Sequence, residues 1–386
     1  MAQRTAASTA PVKLYLIAGE SSGDVLGEEL IKALRSKTAA DISGVCGPHM
    51  RKQQVHTFLP MEKFQVMGFL DILFSLPKFF KLFYKVKKDI LRTNPSCVVF
   101  IDYPGFNLRM ARALRQAGYK GRLVHYVCPS VWAWGKSRIK KMADNLDLLL
   151  SILPFEKEIF SHTPLAVQYI GHPLVHKIHN HHFDASWSLP SEKKILSIFP
   201  GSRNSEILRN FPLQIKAAAS LFQNGNFAIA VSVAQRTLYE TMKHISKQLG
   251  LEEGKHIFFV GPEKSYELMK KTHLAIATSG TITLELALLR VPTVITYALK
   301  KFDQFLAQHI FRIELPFYTL PNIILGKEVF SELIGPYFTL DSLKKCLASL
   351  LEENRRNLCL QDCQKISEKL LSENSSLEAA KAILAI

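Results

Sequence analysis

The sequence predicts an α/β protein of two doubly wound, Rossmann-like domains with parallel sheets. Short apolar runs alternate with amphipathic helical stretches along the chain, the pattern of parallel strands covered by helices. At 386 residues, 47% of them hydrophobic, the chain is long enough for two cores of ordinary size. Between two sets of runs lies "GHPLVHKIHNHHFDASWSLPSEKK", residues 171–194, polar, rich in His and Pro, without periodicity, and read as a linker. The domains are then 12–175, completed by a C-terminal helix, and 190–365. They are expected to face each other, with a ligand cleft at the carboxyl ends of both sets of strands.

The strands expected before the linker are "VKLYLIAG" (12–19), "SCVVFIDY" (96–103), "RLVHYV" (122–127) and "LDLLLSIL" (146–153). After it come "KILSIFPG" (194–201), "NFAIAVSV" (226–233), "HIFFVG" (256–261), "LAIATSG" (274–280) and "PTVITYA" (292–298). Leu26, Leu30, Ile31 and Leu34 form the apolar stripe of a helix after the first strand. The last 45 or so residues read as helices, ending in "SSLEAAKAILAI", whose Ser pair suits a cap.

Lys and Arg number 49 against 33 Asp and Glu, a net charge of +16 that favours an anionic partner. No zinc-finger, basic-region or RNA-binding aromatic signature accompanies the charge, which argues against nucleic acid. No run approaches the ~18 apolar residues of a membrane span, and "MAQRTAASTAP" has no secretory apolar core, so a cytoplasmic protein is expected. The six cysteines include no CxxC pair and are read as reduced thiols. His172, His176, His179, His181 and His182 lack a carboxylate or cysteine at ligand spacing, so no metal is expected.

The strand ends carry the chemistry. "LYLIAGESSGD" (14–24) resembles the start of a phosphate loop but supplies Glu20 and Asp24 beside Ser22, which suits neutral hydroxyls or proton abstraction; Asp24 or Ser22 serves equally as a helix cap. In "VVFIDYPGFNLRMARAL", Asp102 follows five apolar residues and reads as a base whose pKa a cleft can tune. "YVCPSVWAWGKSRIKKM" sets Trp132 and Trp134, expected to pack, before Lys136, Arg138, Lys140 and Lys141. In the second half, "SIFPGSRNSEI" offers Arg203 as a fork donor for phosphate oxygens. "LAIATSGTITLELALL" offers Ser279, Gly280 and Thr281 as an anion seat without lysine, with Glu285 one turn on, placed equally for a ribose diol or as a stabilising acid in the first helical turn. Neither the G-x-x-x-x-G-K-[ST] loop nor the G-x-G-x-x-G fingerprint is present. One half is equipped for a diphosphate leaving group, the other for an acceptor hydroxyl and a base, a division that fits a nucleotide-sugar glycosyltransferase with no cofactor.

The strings "AGESSGDVLG", "FIDYPGFNLR", "HYVCPSVWAW", "LPFE" (153–156), "GHPL" (171–174), "FPGSRNSEI", "SGTITLE" and "TLPNIILGKEVFSELI" (319–334) closely resemble, in order and spacing, the lipid-A-disaccharide synthase family. The likeness covers nearly the whole chain after residue 11. It implies a GT-B fold and transfer of 2,3-diacylglucosamine from its UDP derivative to the 6-hydroxyl of 2,3-diacylglucosamine 1-phosphate (lipid X), with inversion, giving a β-1,6 disaccharide and UDP. It implies Glu20 and Asp102 as the essential acids, Arg203 at the leaving group and Asn322 of "TLPN" as a functional asparagine. The choice of base between Asp102 and Glu20 stays open, Asp102 being preferred. Cys128, where a serine is usual, and His49, where a basic residue is frequent, depart from the pattern without touching this chemistry.

A lipid substrate gives meaning to "FQVMGFLDILFSLPKFFKLFYKVKK", residues 64–88. Phe69, Leu73, Phe79, Phe80 and Phe83, with Lys81 and Lys85, are expected to meet an anionic bilayer, placing the protein on the cytoplasmic face of the inner membrane. Pro77 is expected to break the helix, and Phe302, Phe305, Phe311 and Phe317 to add to the patch. A homo-oligomer is compatible with these features; acyl-chain length is not readable. Two other readings share many of them: a GT-B-like UDP-sugar 2-epimerase, without an acyl groove, and a non-catalytic basic membrane-binding protein.

Overall fold

A computed structural model describes residues 11–64, 69–133, 135–222, 226–299, 315–371 and 374–385. The chain divides into two compact units, Met1–His176 with Ser372–Ile386, and Lys177–Leu371. Each is built on a parallel sheet, giving the two α/β domains of the GT-B class.

The first unit holds β1 (Val12–Ala18), β2 (Ala40–Cys46), β3 (His56–Pro60), β4 (Cys97–Ile101), β5 (Arg122–Tyr126), β6 (Leu148–Ser151) and β7 (Ala166–Tyr169), in the order β3-β2-β1-β4-β5-β6-β7. Its central strands are apolar without alternation because each face of the sheet has its own core. Tyr15, Ile17, Val98 and Phe100 point to one face, with Val86 and Ile90 of helix Phe69–Thr93 and Phe106 and Met110 of helix Pro104–Gln116. Leu14, Leu16, Val99 and Ile101 point to the other, with Leu30, Ile31 and Leu34 of helix Ser21–Arg35 and Ala379, Ala380 and Ile383 of helix Ser375–Leu384. The last helix thus completes the first sheet.

The second unit holds β8 (Lys194–Phe199), β9 (Phe227–Ser232), β10 (Ile257–Val260), β11 (Thr272–Thr278), β12 (Thr293–Tyr297) and β13 (Ser331–Ile334), in the order β10-β9-β8-β11-β12-β13. In both sheets the order reverses once, between β1 and β4 and between β8 and β11, and ligands of such sheets bind outside the carboxyl ends of the two strands at the reversal.

Four strands were not expected: β2, β3, β7 and β13. The last three are sheet edges, short and partly polar, and lack the apolar run that marks a central strand. The segment 171–194 is more ordered than a linker: it contains helix Pro173–His179, and beyond it His181 bonds Glu267 at 3.2 Å and Asp184 pairs with Lys264 at 2.7 Å. Helix Phe69–Thr93 continues through Pro77 instead of breaking there. The cap of the last helix is Asn374, whose Oδ1 accepts from the N–H groups of Ser376 (3.0 Å) and Leu377 (3.2 Å); the Ser pair lies inside the helix and is buried.

Gly44 shows how closely β2 lies against β1. Its φ is +149°, and a Cβ there would sit 1.9 Å from the Leu16 carbonyl oxygen. Gly44→Ala is therefore expected to destabilise the first unit by about 3 kcal/mol or more, as steric intrusions into a core do, measured by urea unfolding.

Candidate functional site

At the reversal of the first sheet, β1 runs into Gly19-Glu20 and β4 into Asp102-Tyr103. Glu20 is the exposed, extended N-cap residue of helix Ser21–Arg35 (φ −139°, ψ 160°), and its side chain makes no cap bond. Ser22 Oγ donates to Asp102 Oδ2 at 3.4 Å, so the two loops meet. Partial burial, and then the charge of Asp102, raise the Glu20 carboxyl above its ordinary value. A carboxylate beside a second carboxylate and a hydroxyl is a proton acceptor in search of a polar ligand.

The turn after β4 is strained. Asp102 and Tyr103 have φ of +50° and +46°, a region costing about 1–3 kcal/mol for each non-glycine residue. The Tyr103 ring lies over Gly19, where a Cβ would come within 2.2 Å of it, and stacks on Phe106 at 6.0 Å. Asn107, fully buried, donates from Nδ2 to the Asp102 carbonyl at 2.7 Å.

Asp24 does not belong to the site. It is 1% exposed, and its carboxylate accepts from the N–H groups of His49 (2.8 Å) and Met50 (3.1 Å), capping the short helix Pro48–Lys52 rather than its own. The reading of Asp24 as a substrate ligand is corrected accordingly; the local string "SGD" gives no hint of a partner 25 positions away.

The ends of β5 and β6 add a buried carboxyl. Val127, β-branched, has φ +75°, and its carbonyl meets His125 Nδ1 at 3.0 Å. Burial lowers the His125 pKa to about 4, so the ring is neutral and donates through Nδ1. In the loop that follows, Trp132 packs edge-on against Phe155 at 5.8 Å; Trp134 lies outside the described residues. Glu156, 1% exposed, receives the Leu153 N–H at 3.2 Å and hydrogen bonds from Trp132 and Cys128. Burial nevertheless pushes its carboxyl up to about 7. His172 is buried and lowered to about 4 by desolvation, its Nδ1 accepting from the Leu174 N–H. Among the described residues no group of three or more His, Cys, Asp or Glu is arranged to hold a metal.

At the reversal of the second sheet a pocket of about 490 Å³ is lined by Pro200–Arg203, Glu206, Ser232, Thr278–Ile282 and Glu285. The sequence-predicted Arg203, Ser279, Gly280, Thr281 and Glu285 therefore share one wall-to-wall space. Glu206 was not anticipated. Its Oε2 accepts from the N–H groups of Ser202 (3.0 Å) and Arg203 (3.3 Å), and its Oε1 from the Arg203 guanidinium at 2.8 Å. This is half of a capping box, recognisable as the Glu three places after Arg203. The Arg203 side chain stays 77% exposed. Tyr266 donates to Glu285 Oε1 at 2.8 Å, and Gln214 supports the floor through Thr278 at 3.1 Å.

Asn322 lies outside this pocket. It is wholly buried; its Oδ1 accepts from Val329 and Phe330 N–H (2.8 and 2.9 Å), and its Nδ2 donates to the Phe330 carbonyl and Glu332 (2.8 and 2.9 Å). With every hydrogen-bonding position filled, it ties helix Leu320–Leu325 to β13 and has nothing left for a substrate.

The aromatic stripe splits by face. Phe79 and Phe83 pack on Phe106 at 5.6 and 5.4 Å, with Phe64 closing the cluster, so these two belong to the core and not to a membrane face. Phe80 and Tyr84 are 56% and 63% exposed, beside exposed Lys81 and Lys85. The side chains of Phe69 and Leu73 fall outside the described part, as do Phe302, Phe305 and Phe311; Phe317 is half-buried. Among the described residues no helix is long and apolar enough to cross a membrane.

A family model described as lipid-A-disaccharide synthetase matches residues 14–386. The lipid-A-disaccharide synthase of Chlamydia pneumoniae is 40% identical over 360 residues, covering 91% of this chain and 59% of that protein. The chain thus spans about three fifths of the chlamydial relative's length. The Azotobacter vinelandii synthase is 32% identical over 384 residues and covers 97% of each chain. In solved structures, MurG of Acinetobacter baumannii matches with a TM-score of 0.60 at 13% identity over 97% of this chain and all of that one. A UDP-GlcNAc 2-epimerase of Neisseria meningitidis, bound to UDP-GlcNAc, matches with 0.58 at 10% identity over 97% and 99%. At such identities the structures show the shared fold alone.

Glu156 makes stability depend on pH. Its folded-state carboxyl titrates near 7 against an ordinary 4.5, so its contribution is full below about 4.5 and is lost as pH rises through 7, about 3 kcal/mol in all. Glu156→Gln is expected to flatten that loss: between pH 5 and 8 the wild type should lose more unfolding free energy than the variant, as read by urea titration at each pH.

Proposed function

Because the chain belongs to the lipid-A-disaccharide synthetase family, we propose that it is the glycosyltransferase that joins two acylated glucosamines in lipid A assembly. The donor is UDP-2,3-diacylglucosamine, and the acceptor is the 6-hydroxyl of 2,3-diacylglucosamine 1-phosphate. The observation that carries this reading is the division of chemistry between the two sheet reversals. One presents the carboxylates Glu20 and Asp102 with the Ser22 hydroxyl. The other presents a pocket with Arg203 and the hydroxyls of Ser279 and Thr281.

The 6-hydroxyl loses its proton to Asp102 or Glu20 as its oxygen forms the bond to the anomeric carbon of the donor. The bond to the β-phosphate oxygen breaks, and UDP leaves with the electron pair. A single in-line displacement inverts the anomeric centre and needs one general base. The Glu20 carboxyl, raised by burial and by Asp102, is suited to share that proton. Charge develops on the leaving diphosphate, where the Arg203 guanidinium and the N–H groups about Gly280 stabilise it. Arg203 is already fixed at the wall by Glu206, which lowers the cost of ordering it.

The lipid substrates call for a surface that reaches the bilayer. Phe80 and Tyr84 with Lys81 and Lys85 form an aromatic-basic face on helix Phe69–Thr93, and the +16 net charge adds long-range attraction. This face supports a peripheral attachment to the cytoplasmic face of the inner membrane.

Incubation with the UDP-sugar and acceptor should yield disaccharide and stoichiometric UDP; UDP release indifferent to the acceptor would instead support an epimerase. Asp102→Asn is expected to cut turnover by 10³-fold or more, a general-base magnitude, with UDP-sugar binding kept. Arg203→Ala should weaken UDP binding about tenfold or more. Equal loss of binding in both would make Asp102 a structural residue.

Vesicle flotation checks the membrane face. Replacing Phe80 and Tyr84 by Ser should release the protein from anionic phosphatidylglycerol vesicles with its melting transition intact. Phe79→Ser should lower the melting transition, because that ring packs on Phe106.

A further inference from the structure

Two consecutive residues of the left-handed region, neither of them glycine, are an unusual way to leave a strand. Asp102 and Tyr103 do so at the end of β4, and Tyr103 then serves as N-cap of helix Pro104–Gln116 without a side-chain cap bond. The Asp102 N–H is held by the Tyr126 carbonyl at 2.9 Å. Its carbonyl is held by Asn107, whose Nδ2 lies 2.7 Å away and 3.5 Å from the Ile101 carbonyl. Asn107 is fully buried, and its own Oδ1 has no hydrogen-bond partner. The amide cannot turn over to relieve that oxygen, because it would then face the two carbonyls its nitrogen now serves. A buried amide that leaves one end unsatisfied to keep the other on the Asp102 carbonyl is costly as mere filling.

We propose that Asn107 is a positioning residue for the Asp102 carboxylate: its amide holds the left-handed turn that keeps Asp102 beside Ser22 and Glu20. The inference rests on the reading of Asp102 as part of the transfer chemistry. The same turn lays the Tyr103 ring on Gly19, immediately before Glu20, so both acids take their places from one backbone conformation. Relaxed to the right-handed or extended region, the turn would carry the Asp102 side chain away from Ser22 Oγ, now at 3.4 Å.

Asn107→Leu keeps the branched shape and removes the donor, whereas Asn107→Ala removes both. Positioning predicts that both variants lose at least 30-fold in kcat, with KM for the UDP-sugar and the affinity for UDP alone within threefold of wild type. A packing role predicts that Leu is the milder change and that kcat falls only with the melting transition. A kcat for Asn107→Leu within threefold of wild type, or failure of both variants to fold, overturns the proposal. A second readout does not depend on turnover: the Asp102 amide should exchange with deuterium at least tenfold faster in Asn107→Leu. Unchanged exchange overturns the proposal even if the wild type forms no disaccharide, an outcome that by itself would sink only the functional reading.

Discussion

Burial of both faces of each central sheet is the constraint on which the rest depends. A strand such as Cys97–Ile101, with no exposed residue, can put a polar side chain to use only where it stops, because anything along its length faces a dry core. Function is therefore confined to loop residues at strand ends. The order reversals choose which ends, since only there do successive helices depart to opposite faces and leave a crevice. Helix Ser21–Arg35 joins one core and helix Pro104–Gln116 the other, which opens the space between Glu20 and Asp102.

Within those loops, hydrogen-bond satisfaction separates the proposed ligand groups from scaffold. Asp24 and Glu206 stand in the same motifs as Glu20 and Arg203, and Asn322 in "TLPN", yet each is saturated by backbone N–H groups or local partners. Glu20 makes no cap bond, and the guanidinium of Arg203 keeps most of its surface open. A polar residue already paid for by its own fold has little affinity to offer a substrate, and an unsatisfied one has much.

The sequence made the central strands other than β2 and the two loop clusters legible because an apolar run ending in a polar turn is a local pattern. What it concealed depends on distant partners. The edge strands β3, β7 and β13 exist through their neighbours, not through their own composition. Asp24 caps a helix that begins more than 20 residues away. In helix Phe69–Thr93 the adjacent residues Phe79 and Phe80 differ in fate because only one falls on the face covered by Phe64 and Phe106. Periodicity says that a stripe exists, while the facing element decides whether it is covered. Asn107 and Glu156 carry no local mark of their roles; only burial gives them meaning. The proposed substrates come from the resemblance to the family, because no pattern of charge or hydropathy contains them.

The helix Ser375–Leu384 completes the first sheet, although the second unit lies between it and the rest of that sheet in the chain. On the ribosome, the second unit is a contiguous piece and can close on its own. The first must wait for its last helix, which packs in the same core as Leu30, Ile31 and Leu34, while residues 177–371 are made, roughly 10–40 s at ordinary synthesis rates. During that interval the loops bearing Glu20 and Asp102 rest on a half-covered sheet, so the two sites mature in the reverse of their order in the gene.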